Sequence, residues 1–208
     1  MKRPILKKKI NLIIIGSGGH ALSCIDVINS TQKFDIMGYI DNSKNKNFPS
    51  KYKYYGSDED LKLIRKEIEN AFIAVGQIKD FKNRLNIYKL LKKYNFTLPK
   101  ILASTSYVSD DVLIGEGTIV MHNCFINSGT IIGKNCIINT GALIEHNVEI
   151  KDHNHISTSA VINGGVKIGS KNFIGSNSTL NNDIHLGDEM VIPSASRITK
   201  NNKKKYEK

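Results

Sequence analysis

Five of the chain's six histidines, His122, His146, His153, His155 and His185, lie between residues 108 and 197. Imidazole exchanges a proton near neutral pH, so this clustering places candidate general bases in the second half of the chain. A different chemistry opens the first half, where Gly16-Ser17-Gly18-Gly19-His20 follows an apolar run. Glycines there let the backbone approach a ligand closely, and the start of a following helix offers unpaired N–H groups to a phosphate.

The histidines are set in a repeat. From Val108 to Ile192 every sixth residue is aliphatic, a period that fits neither one long helix nor one long strand. Four residues after each aliphatic stands a mostly small residue, as at Thr118, Cys124, Ala142 and Ser178. The pattern predicts short strands joined by tight corners around an aliphatic interior. In the first half, residues 11–15, 35–40 and 71–75 predict buried strands, and residues 58–69 and 81–94 predict helices, with another helix after the glycine turn. Strand, glycine turn and helix in that order predict an α/β, Rossmann-like domain with a parallel sheet. Asp41 follows the second strand, where a doubly wound sheet often places a ligand-reading carboxylate, and Gly76 follows the third. Leu98-Pro99 is the expected joint, giving domains over 1–98 and 99–200 and a basic tail over 201–208, with few contacts crossing between domains.

The net charge of +11 is uneven, because residues 1–98 carry 19 basic against 9 acidic side chains and residues 99–200 carry 7 against 9. A basic front domain attracts a phosphate-bearing ligand, although Lys-, Asn- and Ile-rich composition is also typical of an AT-rich genome. No nucleic-acid motif accompanies the charge, so no nucleic-acid partner is expected. Three cysteines are an odd number and imply no disulfide framework, which fits a reduced, cytoplasmic setting. The basic start, residues 1–9, precedes an apolar run that stops at Gly16, too short for a signal peptide, and no stretch approaches a membrane span.

The six-residue period resembles that of the hexapeptide-repeat acyltransferases. That resemblance implies a left-handed parallel β-helix with eighteen residues per coil and five coils in all; the handedness comes from the resemblance, since parallel crossovers are ordinarily right-handed. The glycine loop resembles the one opening the nucleotide-sugar domain of bacterial amino-sugar N-acetyltransferases of the bacillosamine type and the related sialic-acid O-acetyltransferases. A dehydrogenase fingerprint would want a third glycine where Ala21 stands. By the resemblance, Gly16, Gly18, Gly19, His20, Asp41 and Gly76 hold the nucleotide-linked substrate.

Asn139-Thr140-Gly141-Ala142-Leu143-Ile144-Glu145-His146 resembles the family's active-site segment, which implies that His146 is the general base. His155 matches the family's second histidine, in contact with the acetyl group or acetyl-CoA, and Asn139 matches a residue near that co-substrate. Gly164 matches a glycine whose backbone N–H faces the thioester carbonyl, an oxyanion donor. Asn147 departs from the pattern, standing where bacillosamine-type enzymes carry an acidic residue that orients the base. Ile192-Pro193-Ser194-Ala195-Ser196 is a second departure, replacing a glycine-rich turn and closing motif near the adenine of CoA. His122, His153 and His185 are read as solvated corner residues, and the column Asn127, Glu145, Asn163, Asn181 as a structural stack. Zinc-binding carbonic anhydrases built on the same repeat place their two later histidine ligands five residues apart, a spacing no two histidines here share, so no metal is expected.

Together the resemblances imply an acetyl-CoA-dependent N-acetyltransferase, working as a homotrimer. Its substrate would be the amine of a nucleotide-linked amino sugar, such as a UDP-4-amino-4,6-dideoxy sugar, for bacterial surface glycans. Two alternatives stand beside it: O-acetylation of a sialic-acid-type sugar, and a non-catalytic β-helix binding or assembly protein, for which the two departures argue.

Overall fold

In a computed structural model of the chain, residues 8–78 and 80–201 are described; residues 1–7, Lys79 and residues 202–208, and with them most of the basic start and tail, lie outside the described residues.

The first half folds around a parallel sheet with strand order β3-β2-β1-β4, where β1 is Ile10–Ile15, β2 Phe34–Ile40, β3 Lys53–Tyr54 and β4 Asn70–Ile73. The aliphatic run of residues 12–15 within β1, buried throughout, suits a strand covered on both faces. Leu12 and Ile14 pack with Ala21, Cys24, Val27 and Ile28 of helix α1 (Gly19–Ser30). Ile13 and Ile15 pack with Leu61 and Ile64 of α2 (Leu61–Ile64) and with Ile87 and Leu91 of α3 (Lys82–Lys93). Because β2 and β4 flank β1 on opposite sides, a crevice opens at the carboxyl ends of β1 and β4, where doubly wound sheets bind ligands.

The helix predicted over residues 58–69 is replaced by a tighter arrangement. A 3₁₀ turn, Asp58–Asp60, capped by the Ser57 side chain, leads into α2, and the bonds then shorten to Lys66 N–H on Leu63 O and Glu67 N–H on Ile64 O. The third predicted strand ends at Ile73, two residues early. The edge strand β3 carries no apolar alternation and was not foreseen.

The second half is the left-handed parallel β-helix. Its strands, each two residues long, run from β5 (Ile101–Leu102) to β21 (Arg197–Ile198) in three parallel sheets. Residues eighteen apart pair, as Ile137 with His155 and Ile138 with Ile156. The second residue of each strand points inward, so the aliphatics of the repeat form one continuous core. Three residues later the chain turns, with positive φ at every corner from Gly117 to Ala195. Gly and Asn hold most of those corners because they enter the left-handed region at little cost.

The first residue of each strand points outward, giving three faces. The first presents Ile101, Ile119, Ile137, His155, Phe173 and Val191; the second presents Tyr107, Phe125, Leu143 and Val161; the third presents Leu113, Ile131, Glu149, Lys167 and His185. The expectation of few contacts across Leu98-Pro99 is corrected here. Ile101, Ile119 and Ile137 are fully buried in the same cluster as Leu12, Ile14 and the apolar side of α1. Polar contacts border this seam, with Tyr88 and Lys92 bonding Glu116 on one side and Asp26 bonding His122 on the other.

Candidate active site

Beyond Ile137 the first face runs on as His155, Phe173 and Val191, past the cover of the front sheet's core. The loop after β4 leans over this stretch and leaves a cavity of about 620 Å³. His20, Gly76, Gln77 and Ile78 wall it on one side, and Asn139, His155, Phe173, Val191, Pro193 and Ser194 on the other. Residues expected to hold the sugar nucleotide, His20 and Gly76, thus share one cavity with two expected near acetyl-CoA, Asn139 and His155. Pro193 and Ser194, from the C-terminal segment that departs from the family pattern, complete the wall.

His155 is buried, its Nδ1 bonded to the backbone carbonyl of Gln77 and its Nε2 3.1 Å from Asn139 Nδ2. Burial lowers its pKa to about 4, outweighing the Gln77 carbonyl, which favours the protonated ring. The pKa of His20 is also lowered to about 4, by burial first and then by the charges of Arg84 and His155. Its ring lies beside Gly76, and its Nε2 is buried without a partner among the described residues. Both imidazoles are therefore neutral at neutral pH, and one presents an unsatisfied nitrogen.

The glycine loop sits at the carboxyl end of β1. Gly16 has φ +106°, and a Cβ there would come 2.8 Å from Val75 Cγ2, so both conformation and packing demand glycine. Gly18 and Gly19 face open space, and α1 starts behind them with no side-chain cap. Its first N–H groups are available to an anion. Asp41 serves this loop: its Oδ2 accepts from Ser17 N at 2.9 Å and Ser17 Oγ at 2.5 Å, and its Oδ1 from Asn42 N at 2.8 Å. Ser17 and Asn45, whose Nδ2 donates to Ser17 O at 2.8 Å, are loop-shaping residues that the glycine pattern did not reveal.

His146 lies elsewhere, on the exposed corner between the second and third faces, opposite the first. Its ring rests on Gly164 one coil further on, where a Cβ would come 2.7 Å from both Cε1 and Nε2. Asn147 Nδ2 stands 3.3 Å from His146 Nδ1. At other corners the preceding asparagine's Oδ1 takes the next N–H, as Asn127 does for Ser128 and Asn139 for Thr140. Asn163 turns its amide to Leu180 O instead, and the Gly164 N–H has no acceptor among the described residues. In the stack through Glu145, Asn127 Nδ2 bonds Glu145 Oε2 at 3.0 Å, which leaves that carboxylate away from His146.

Two histidines read as solvated are built in. His122 bonds Thr105 and Asp26, and His153 packs edge-on to Tyr88 with its Nδ1 3.0 Å from Asn135 Nδ2. His185 is exposed. Among the described residues no three His, Cys, Asp or Glu side chains converge as a metal site would need.

Residues 11–91 match the family model of the PglD N-terminal domain, and residues 111–146 match that of the bacterial transferase hexapeptide (six repeats). The two models match successive parts of the chain, one in each half. Among curated proteins none matches the sequence. Among solved structures, the acetyltransferase domain of PglB from Neisseria gonorrhoeae FA1090 superposes with TM-score 0.85 at 21% identity over 92% of each chain. A histidine-to-asparagine mutant of perosamine N-acetyltransferase from Caulobacter crescentus, in complex with CoA and GDP-perosamine, superposes with TM-score 0.85 at 23% identity over 92% of this chain and 89% of that one. WeeI from Acinetobacter baumannii AYE follows at TM-score 0.54 and 16% identity, over 91% of this chain and 94% of that one. At these identities the likenesses establish the fold. The cavity therefore lies between the front domain and the first face of the β-helix coils, and His146 lies on the coils' far corner.

Proposed function

We propose that the protein is an acetyl-CoA-dependent N-acetyltransferase acting on the amine of a nucleotide-linked amino sugar, with domains over 1–98 and 99–200. The observation that carries the reading is the cavity in which His20 and Gly76 meet Asn139 and His155. The uncapped start of α1 and the open faces of Gly18 and Gly19 suit the phosphates of the sugar nucleotide. The cavity's apolar Phe173, Val191 and Pro193, its neutral imidazoles and the unsatisfied His20 Nε2 fit an uncharged acyl end. Acetyl-CoA supplies an acyl group activated as a thioester.

In this reading the amine attacks the thioester carbonyl, His146 takes its proton through Nε2, and the unpaired Gly164 N–H supports the developing oxyanion. Collapse of the adduct breaks the C–S bond, and His146 returns the proton to the leaving CoA thiolate. For Nε2 to hold a free lone pair, the ring proton must sit on Nδ1. Asn147 supports that tautomer when its amide turns Oδ1 toward Nδ1, a weaker hold than a carboxylate would give.

A single copy keeps His146 on the corner opposite the cavity, so the base must come from a neighbouring copy. Tyr107 and Phe125 on the second face and Leu113 and Ile131 on the third are exposed apolar residues, with Tyr107 and Phe125 stacked at 4.7 Å. Packing second and third faces of neighbouring coils together covers them and makes a trimer. Three free, buried cysteines and a co-substrate of central metabolism agree with a cytoplasmic setting, and no helix among the described residues is long and apolar enough to cross a membrane.

Thiol release from acetyl-CoA across a panel of nucleotide-linked amino sugars and their hydroxyl counterparts tests the reading. Turnover with an amine supports it, turnover confined to hydroxyl sugars transfers the reaction to O-acetylation, and no turnover with any acceptor contradicts it.

A further inference from the structure

Arg84 on α3 is 1% exposed, and none of its partners is a carboxylate. Its Nη1 donates to Ile73 O and Val75 O, each at 2.7 Å, and its Nε lies 3.5 Å from Asn135 O on a corner of the β-helix. Burial lowers its pKa to about 10, so it stays a cation at neutral pH. A guanidinium held only by carbonyl oxygens is costly to bury, and its position at the exit of β4 says what it achieves there. Two carbonyls two residues apart, drawn to one nitrogen, stop β4 at Ile73 and send the chain over the first face.

The next residues complete a chain of contacts. Gln77 is 3% exposed, and its Nε2 donates to His153 O at 2.9 Å and reaches Asn172 O at 3.3 Å. Its backbone carbonyl meets His155 Nδ1. A carbonyl only accepts, so that ring nitrogen carries the proton, and the neutral ring presents a lone pair at Nε2. Asn139 Nδ2 donates into that lone pair at 3.1 Å, while Asn139 Oδ1 accepts from Thr140 N at 2.8 Å, which sets the amide the same way round. Both ring nitrogens of His155 are thereby occupied, and the second N–H of the Asn139 amide is left at the cavity wall.

We infer that Gln77 and Arg84 are positioning residues of the acyl-transfer site: Arg84 fixes the exit of β4, and Gln77 locks His155 as its Nδ1–H tautomer so that Asn139 offers an N–H to the acyl oxygen. The kinetic part of this inference rests on the acetyltransferase reading; the tautomer does not.

The test is ¹⁵N-edited NMR of histidine-labelled full-length protein, with His155 assigned by its loss in His155→Ala. The wild type should show a protonated Nδ1 and an unprotonated Nε2 on that ring. Gln77→Glu sets an acceptor against two carbonyls and should release the loop, giving mixed tautomers and a kcat lower by about 10- to 100-fold, the usual effect of losing an orienting partner. Arg84→Lys should keep most of the tautomer lock, whereas Arg84→Leu should lose it; if the leucine variant does not fold, Gln77→Glu decides the matter. A wild-type ring protonated on Nε2, or an unaltered Nδ1–H tautomer in Gln77→Glu, would overturn the inference. Because the spectra need no substrate, they decide it even if every acceptor in the turnover panel fails.

Discussion

The His146 ring lies against Gly164, eighteen residues further along, so closely that an added Cβ would stand 2.7 Å from its Nε2. Glycine is needed for that contact rather than for its backbone angle, because Gly164, unlike Gly165, does not lie in the left-handed region. Gly164→Ala should therefore leave the coil folded and push the ring aside. Misplacing a catalytic group by about an ångström costs up to about 100-fold, so kcat should fall by that order while the melting temperature holds. Wild-type kcat in this variant would detach Gly164 from the reaction.

Asn147 stands where the proposed base, His146, would otherwise have an acid beside it. Asn147 has φ +58°, and a glutamate there accepts about 1 kcal/mol of strain, which the fold already tolerates at Glu189 with φ +56°. In Asn147→Glu a carboxylate would hold the proton on Nδ1 and favour the charged ring, raising the pKa read from the pH profile of kcat/KM by about one unit. If residue 147 instead faces the acceptor, KM for the sugar rises and the profile stays in place. An unchanged profile with an unchanged KM would remove residue 147 from the site.

Stability should carry the mark of the buried imidazole. The folded pKa of His155, about 4, lies below its unfolded value of 6.5, so the unfolded chain binds the extra proton between those two pH values. The stability from keeping this ring neutral is complete above about pH 6.5, declines as pH falls, and is gone below about 4, a loss on the order of 3 kcal/mol. Urea unfolding at a series of pH values should show this decline, and His155→Gln should make it shallower, the remainder coming from His20, whose folded pKa is also about 4. Equal pH dependence in both proteins would contradict the burial argument.

The faces lend themselves to a direct test. Replacing both Phe125 and Ile131 with glutamate puts two charges where apolar side chains are exposed on the second and third faces. Covering each is worth about 1–2 kcal/mol, so the double variant should sediment as folded monomers and lose activity. A stable trimer would mean that other surfaces hold the copies together.

The repeat was readable because one aliphatic residue in six is forced inward by the coil, a spacing that neither one long helix nor one long strand imposes. The corners were not: His153, Lys171 and Glu189 occupy left-handed positions that composition favours for Gly and Asn, and nothing local to those residues announces it. The glycine loop was visible because Gly16 is squeezed by Val75, but Ser17 and Asp41, which shape it, are joined across 24 residues. Nothing in the sequence separates Arg84 from the lysines around it on α3, since its burial is created by the β-helix packing over it. Of the apolar outward residues, Ile119 and Ile137 fall inside the repeat and Ile101 precedes it, and only the packed fold gives all three a second core to fill.

Sharing of the site between copies is tested most directly by complementation. Made alone, with trimers intact, His146→Ala should lower turnover by about 10²- to 10⁴-fold and His155→Ala, which removes an orienting partner, by up to about 100-fold. Co-expressed in equal amounts, they should recover about a quarter of wild-type activity, because one cavity in four then pairs an intact His155 with an intact His146 from its neighbour. Mixed trimers that form and stay as inactive as either variant alone would contradict the account.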